Sequence, residues 1–116
     1  MDYVLASSDL GRVAITDDAI AQIVGLTAAE CYGVVGMSAS NRLGKLLARA
    51  RATAGIEVSG DEQGLTIGVH VVVAHGLNLA EVASTLRNRV AYEVERMTRL
   101  PVAAVEVHIE AVRETA

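Results

Sequence analysis

Three histidines, one cysteine and a few serines are the residues of this 116-residue chain best suited to chemistry. A metal site needs several imidazole, thiolate or carboxylate ligands converging to about 2.0–2.3 Å from one ion. His108 stands two residues from both Glu106 and Glu110, so a β-strand would set all three on one face. His70 and His75 are remote in the chain, and no two histidines have short ligand spacing. Glu-x-His-x-Glu therefore reads as the solvated face of a strand, and neither a metal nor another cofactor is expected. Cys31 falls at the C-terminal end of a helical pattern, where the helix dipole raises a thiol pKa, so it reads as a core side chain. Ser7, Ser8 and Ser38 have no base near them in sequence. With no nucleophile, base and oxyanion donor to assemble, the chain reads as a non-enzyme.

The glycines offer a second kind of chemistry, the cradling of phosphate. A P-loop needs Gly-x-x-x-x-Gly-Lys followed by Ser or Thr. Here Gly44-Lys45 is followed by Leu46, and position 39 is Ala. Gly33-Val34-Val35-Gly36 has the outline of a KH-type RNA clamp, yet its two central valines give phosphate nothing to hold. Gly33 is placed where a helix end needs a left-handed residue, and Gly36 just before the chain turns away. Both are read as structural turns.

Charge provides the remaining candidates. The segment holding Arg42, Lys45, Arg49 and Arg51 has no acidic residue from Ser38 to Ala54, which leaves the rest of the chain at −8 from a total of −4. Its Leu43, Leu46 and Leu47 predict a short basic amphipathic helix, able to meet an anionic partner. On a second helix, Arg89, Tyr92, Arg96 and Arg99 share one flank, and Arg and Tyr are favoured at protein interfaces. These two strips are the expected interaction residues, and nucleic acid is the less favoured partner because the domain as a whole is acidic.

Positioning these residues falls to a small set of elements. Val13–Ile15 reads as a strand, Thr16 as an N-cap, and Ile20, Ile23, Val24, Thr27 and Cys31 as the inner face of a helix ending near Gly33. Ile56–Val58 and Leu65–Ala74 read as strands joined by the polar turn from Gly60 to Gly64. Asn78, with Glu81 three residues on, caps a long helix whose inner face is Leu79, Val82, Ala83, Leu86, Val90, Val94 and Met97. Arg89–Glu93 and Glu95–Arg99 have ion-pair spacing on it. After Pro101 comes a strand with Ala103, Val105, Val107, Ile109 and Ala111 inward. The prediction is an α+β two-layer sandwich, ordered β-α-(short basic helix)-β-β-α-β, mainly antiparallel, with its helices on one face.

The composition is 52% hydrophobic without Trp or Phe, so the core must be aliphatic. The length suits one domain, expected at residues 11–113 between tails at 1–10 and 114–116. A single cysteine rules out an internal disulfide. The N-terminus lacks the features of a signal peptide, and no apolar run nears the roughly 18–20 residues of a membrane span, so a cytoplasmic protein is expected.

Several segments together resemble the alkaline-shock, or Gls-type envelope stress response, family. They are Gly11-Arg-Val-Ala-Ile-Thr-Asp-Asp-Ala-Ile20, Ala29-Glu-Cys-Tyr-Gly-Val-Val-Gly-Met37, the strand end from Val69 to Gly76, Asn78-Leu-Ala-Glu-Val82, Glu95-Arg-Met-Thr-Arg-Leu-Pro-Val102 and Val105-Glu-Val-His-Ile109. They follow the family's order over nearly the whole chain, and the chain resembles its short, minimal members. Two departures stand out: the middle segment is rich in Arg, Leu and Ala, and Arg99 replaces the glycine common in Met-Thr-Gly-Leu. The resemblance implies a role in cell-envelope homeostasis under stress, exercised through protein partners such as a membrane anchor, with self-association as a further expectation. It also implies a peripheral place at the membrane through such a partner. It brings no catalytic residues. A nucleic-acid-binding regulator acting through residues 42–51 and an accessory protein linked to lipid or acyl ligands are the alternatives.

Overall fold

In the computed structural model the elements run β1 (Asp2–Ser8), β2 (Gly11–Thr16), α1 (Asp17–Glu30), β3 (Val34–Met37), β4 (Ile56–Asp61), β5 (Gly64–Ala74), α2 (Leu79–Thr98) and β6 (Val102–Arg113). The structure describes residues 1–37 and 53–114. The basic segment 42–51 and its expected helix lie outside the described residues.

Strict alternation makes β5 the centre of the sheet: Leu65, Ile67, Val69, Val71 and Val73 all face inward and are buried. β4 lies antiparallel to its first half, from Ile56 opposite Val69 to Asp61 opposite Gly64. β3 lies antiparallel to its end, from Val34 opposite Val73 to Met37 opposite Val71. The two short strands therefore share one edge of β5, end to end. β6 runs parallel along the other edge, from Val102 opposite Leu65 to Arg113 opposite Ala74. A parallel neighbour needs a long crossover, and α2 supplies it. Ile20, Val24 and Ala28 of α1 and Val82, Leu86, Val90 and Val94 of α2 pack with the inward β5 residues into one aliphatic core. The α+β sandwich with both helices on one face is as the patterning predicts, and the sheet is mainly antiparallel apart from the β5–β6 pair.

Residues 1–10, expected as a tail, instead form β1 and the turn of a hairpin with β2. The alternation there is weak because both faces of the hairpin are largely solvated, with Leu10 at its tip fully exposed. What ties it down is Tyr3, whose ring lies where a Cβ on Gly60 would fall, only 2.6 Å away. Burial and the neighbouring Asp17 carboxylate push the Tyr3 phenol up to about 12.

Local chemistry fixes the helix ends. Thr16 Oγ1 accepts from the Ala19 amide at 3.1 Å, and Asn78 Oδ1 accepts from the Glu81 amide at 3.1 Å. Past α1, Gly33 adopts φ +92°, and a Cβ there would sit 2.9 Å from Leu77 and Val82 side-chain carbons. Gly33 is thus required twice, for its backbone and for the close approach of α1's end to α2's start. Gly36 departs from its expected role: it sits within β3 opposite Val72, just after a register shift at Val35, and is not a turn. At the end of α2, Arg99 takes the left-handed conformation itself, φ 61°, its amide donating to the Glu95 carbonyl at 2.8 Å. The family's glycine at this place is replaced without loss of the turn, at a cost of about 1–2 kcal/mol.

Three details of the helix and strand faces differ from expectation. α2's buried positions Val82, Leu86, Val90 and Val94 advance by four, which rotates the stripe until Thr98 and not Met97 is inside. Leu79 and Met97 are exposed. In β6, register shifts leave Ala103 and Glu110 as extra residues, so Val102 and Val112, not Ala103 and Ala111, take the inward register. The Glu95 carboxylate accepts from the Val102 amide at 3.0 Å and so anchors the start of β6, where sequence spacing paired it with Arg99.

Candidate functional site

The outer surface of the helix pair is where exposed apolar groups and charge come together. Ile23, Leu26, Thr27 and Glu30 recur at helical spacing along α1, and Arg89, Glu93 and Met97 at steps of four along α2. The two rows enclose a shallow hollow of about 190 Å³. Leu26 is 69% exposed, Met97 55% and Tyr92 63%. Ile23, which the sequence placed on the inner face, is only partly buried at the margin of the core. The groove itself was not foreseen. Leu26 falls outside the periodic inner face, and that was the available signal.

Of the expected flank, Arg89, Tyr92 and Arg96 lie on α2 and Arg99 just past its end, and two of the three arginines are matched by carboxylates. Arg89 lies 3.6 Å from the Glu30 carboxylate across the helix pair, and Arg96 lies 2.7 Å from Glu93. The Arg96 hydrogen bond holds the Glu93 carboxyl below its ordinary range. The spacing pair Arg89–Glu93 is thus replaced by two others, because Arg89 reaches across to α1. A rim with acid and base side by side matches a partner carrying both signs better than a polyanion.

The opposite face of the sheet holds a cluster that sequence reasoning only half assembled. His108, Glu106 and Glu110 do share the outward side of β6, and the parallel register brings His70 of β5 beside His108. Their rings stack with centroids 4.6 Å apart and planes 12° from parallel. His70 Nδ1 is 2.6 Å from Glu110 Oε1, and its Nε2 is 2.8 Å from Glu57 Oε1 on β4. Ionised carboxylates only accept, so the arrangement suits an imidazolium, in which both ring nitrogens donate. The two hydrogen bonds, to Glu110 first and then Glu57, raise its pKa above the ordinary histidine value. Among the described residues, no three His, Cys, Asp or Glu side chains stand ready to hold a metal ion. The outward position of His70 was legible in the β5 alternation. Its neighbours were not, since nothing local specifies that β6 lies parallel to β5.

Cys31 is buried, its thiol donating to the Thr27 carbonyl at 3.4 Å, and burial pushes its pKa up. Such a thiol packs and does not attack. Val34 and Met37 pack against the core from β3, so the glycine motif serves architecture.

Comparison with known proteins now bears on this arrangement. A family model described as the ASP23 family, of cell envelope-related function, matches residues 6–114. This chain is a member of the ASP23 family. The resemblance drawn from its motifs is borne out. An uncharacterised relative of this ASP23-family chain, YloU of Bacillus subtilis (strain 168), is 29% identical over 109 residues, which cover 90% of this chain and 91% of the relative. Another, Spy1614 of Streptococcus pyogenes serotype M6, is 28% identical over 107 residues, covering 89% and 88%. Among solved structures, two variants of the MamM CTD, one of them a nickel form, resemble the ASP23-family fold with TM-scores of 0.53 and 0.52. Both are 16% identical and cover 85% and 84% of this chain and 100% and 99% of their own. At that identity the likeness is one of fold. Among the described residues of this ASP23-family protein, no helix is long and apolar enough to cross a membrane.

Proposed function

We propose that this ASP23-family protein is a non-enzymatic interaction module that serves cell-envelope homeostasis by docking an amphipathic helix of a protein partner in the groove between α1 and α2. The observation that carries this reading is the exposure of Leu26 and Met97 on either side of that groove, beside the Glu30–Arg89 and Glu93–Arg96 pairs. A helix laid between two others buries apolar residues at three- and four-residue spacing, and the mixed rim favours flanking residues of both signs. A membrane-anchored protein presenting such a helix would hold this module in the cytoplasm at the membrane surface, without a span of its own.

The test is a photo-crosslinking residue placed at Leu26 or Met97 in living cells, with the crosslinked peptide sequenced. The expected result is one protein, joined within a segment of amphipathic helical pattern, and loss of the product when the other groove residue is changed to Asp. Crosslinks scattered over many proteins, or unaffected by the Asp substitution, would overturn the docking site. The alternative, nucleic-acid binding through Arg42, Lys45, Arg49 and Arg51, draws on the charge of that segment alone. It requires binding that weakens steeply with salt.

A further inference from the structure

The long free edge of β6 has a composition that selects one partner and one register. Among the described residues β6 pairs only with β5, which leaves a twelve-residue strand with its outer edge unpaired. Val105, Val107 and Ile109 are half-buried, whereas their β5 register partners Ile67, Val69 and Val71 are fully buried. Natural sheets blunt such an edge with Lys, Pro or bulges. β6 has no Lys or Pro, and its irregularities at Ala103 and Glu110 lie at the ends of an uninterrupted stretch, Ala104 to Ile109. That stretch is a regular template for another strand.

We infer that this edge pairs antiparallel with β6 of a second copy of the chain, in the register centred on Val107. Residues directly opposite in an antiparallel pair share a face, and a two-fold pairing that keeps both helix layers on one side must join residues of equal parity. Of the possible centres, that on Val105 sets Glu106 opposite Ala104 and that on Ile109 runs into the bulge at Glu110, which leaves three. Centring on Glu106 sets that carboxylate against its own copy. Centring on His108 sets Glu106 against Glu110 and His108 against itself. Centring on Val107 sets Glu106 opposite His108 of the second copy twice over, Val105 opposite Ile109 twice over, and Val107 opposite Val107. Only this register sets each outer-face Glu106 carboxylate opposite an imidazole that can hydrogen-bond to it and keeps the inner face apolar throughout. Registers of mixed parity place valines beside glutamates. Within one chain the Glu106 carboxylate and His108 Nε2 stand 4.0 Å apart, beyond hydrogen-bond reach, and with side-chain exposures of 64% and 49% both remain accessible to a second strand.

Sedimentation of the whole chain over a concentration series tests the inference, with amide hydrogen exchange across Val105–Ile109 read in parallel. The wild type is expected to show a reversible monomer–dimer equilibrium, with those amides gaining protection as the dimer fills. His108→Glu sets two pairs of carboxylates opposite each other and should weaken the dimer by about tenfold, and Glu106→Lys removes both carboxylate–imidazole hydrogen bonds and should weaken it less. The double variant Glu106→Lys/His108→Glu should restore it. Both side chains point to solvent, and a thermal melt of each variant checks that the fold persists. A wild type that stays monomeric overturns the inference, as does a dimer indifferent to the single changes or a double change that fails to restore it.

Discussion

The two faces of the same three strands hold the molecule together in different ways. Toward the helices, β4, β5 and β6 present Ile, Leu and Val, with the β5 side chains fully enclosed. Toward solvent, the same strands present Glu57, His70, Glu106, His108 and Glu110, with His70 bonded to Glu57 and Glu110 and stacked on His108. Adjacent residues on β5, Val69 and His70, belong to the two systems. The inner face draws on burial, which no ordinary change of pH alters. The outer face draws on a proton, and its contribution lasts only while that proton is bound. Alternation along one strand has separated a permanent from a conditional source of stability.

The largest effect should come from the inner face. Ile67→Ala removes a fully buried side chain from the core and should destabilise by about 2–5 kcal/mol. Chemical denaturation should give the same difference at acid and alkaline pH; a strong pH dependence would break the contrast. The outer face should behave oppositely. The His70 pKa is raised in the folded state, so its stabilisation is fully present below the unfolded value of about 6.5 and lost as pH rises through the folded pKa. His70→Gln should therefore cost up to about 1 kcal/mol at low pH, since both carboxylate partners are partly solvated, and almost nothing at high pH. Unfolding curves of the two proteins that stay equally far apart across this range would refute the role given to the proton. A single removal, Glu57→Gln, should lower the His70 pKa while leaving the Glu110 bond, an intermediate case readable by titration of the ring resonances in NMR. The smallest change is expected from His108→Ala, which takes away a stacked ring at the surface and should cost about 0.5 kcal/mol or less.

Much of the fold could be read from the residues, and what could not has a common cause. The caps Thr16 and Asn78, the buried stripe of β5 and the end of α1 at Gly33 are set by chemistry within a few residues of one another. The sequence missed what depends on remote strands. β1 escaped notice because its faces are both wet. Ala103 and Ala111 were placed inward because alternation says nothing of a bulge, and Met97 because a stripe advancing by four drifts around its helix. The candidate site divided the same way. Helical spacing groups Arg89, Tyr92 and Arg96, but Arg99 lies beyond the helix end, and Glu30, which pairs with Arg89, is on another helix. His70 could be set on the outer face, but not between Glu57 and Glu110.

The shared edge of β5 has one more consequence. β3 stops at Met37 opposite Val71, and β4 resumes at Ile56 opposite Val69, with the His70 amide bonded to the Gly55 carbonyl at 2.8 Å between them. The chain leaves the sheet and re-enters it in the same lane, about one residue further along. In sequence, β3 and β4 are separated by residues 38–55, which hold four of the chain's ten basic residues. One side of β5 is thus covered by two strands far apart in sequence, and the backbone of His70, whose side chain gathers the outer-face carboxylates, marks the seam between them.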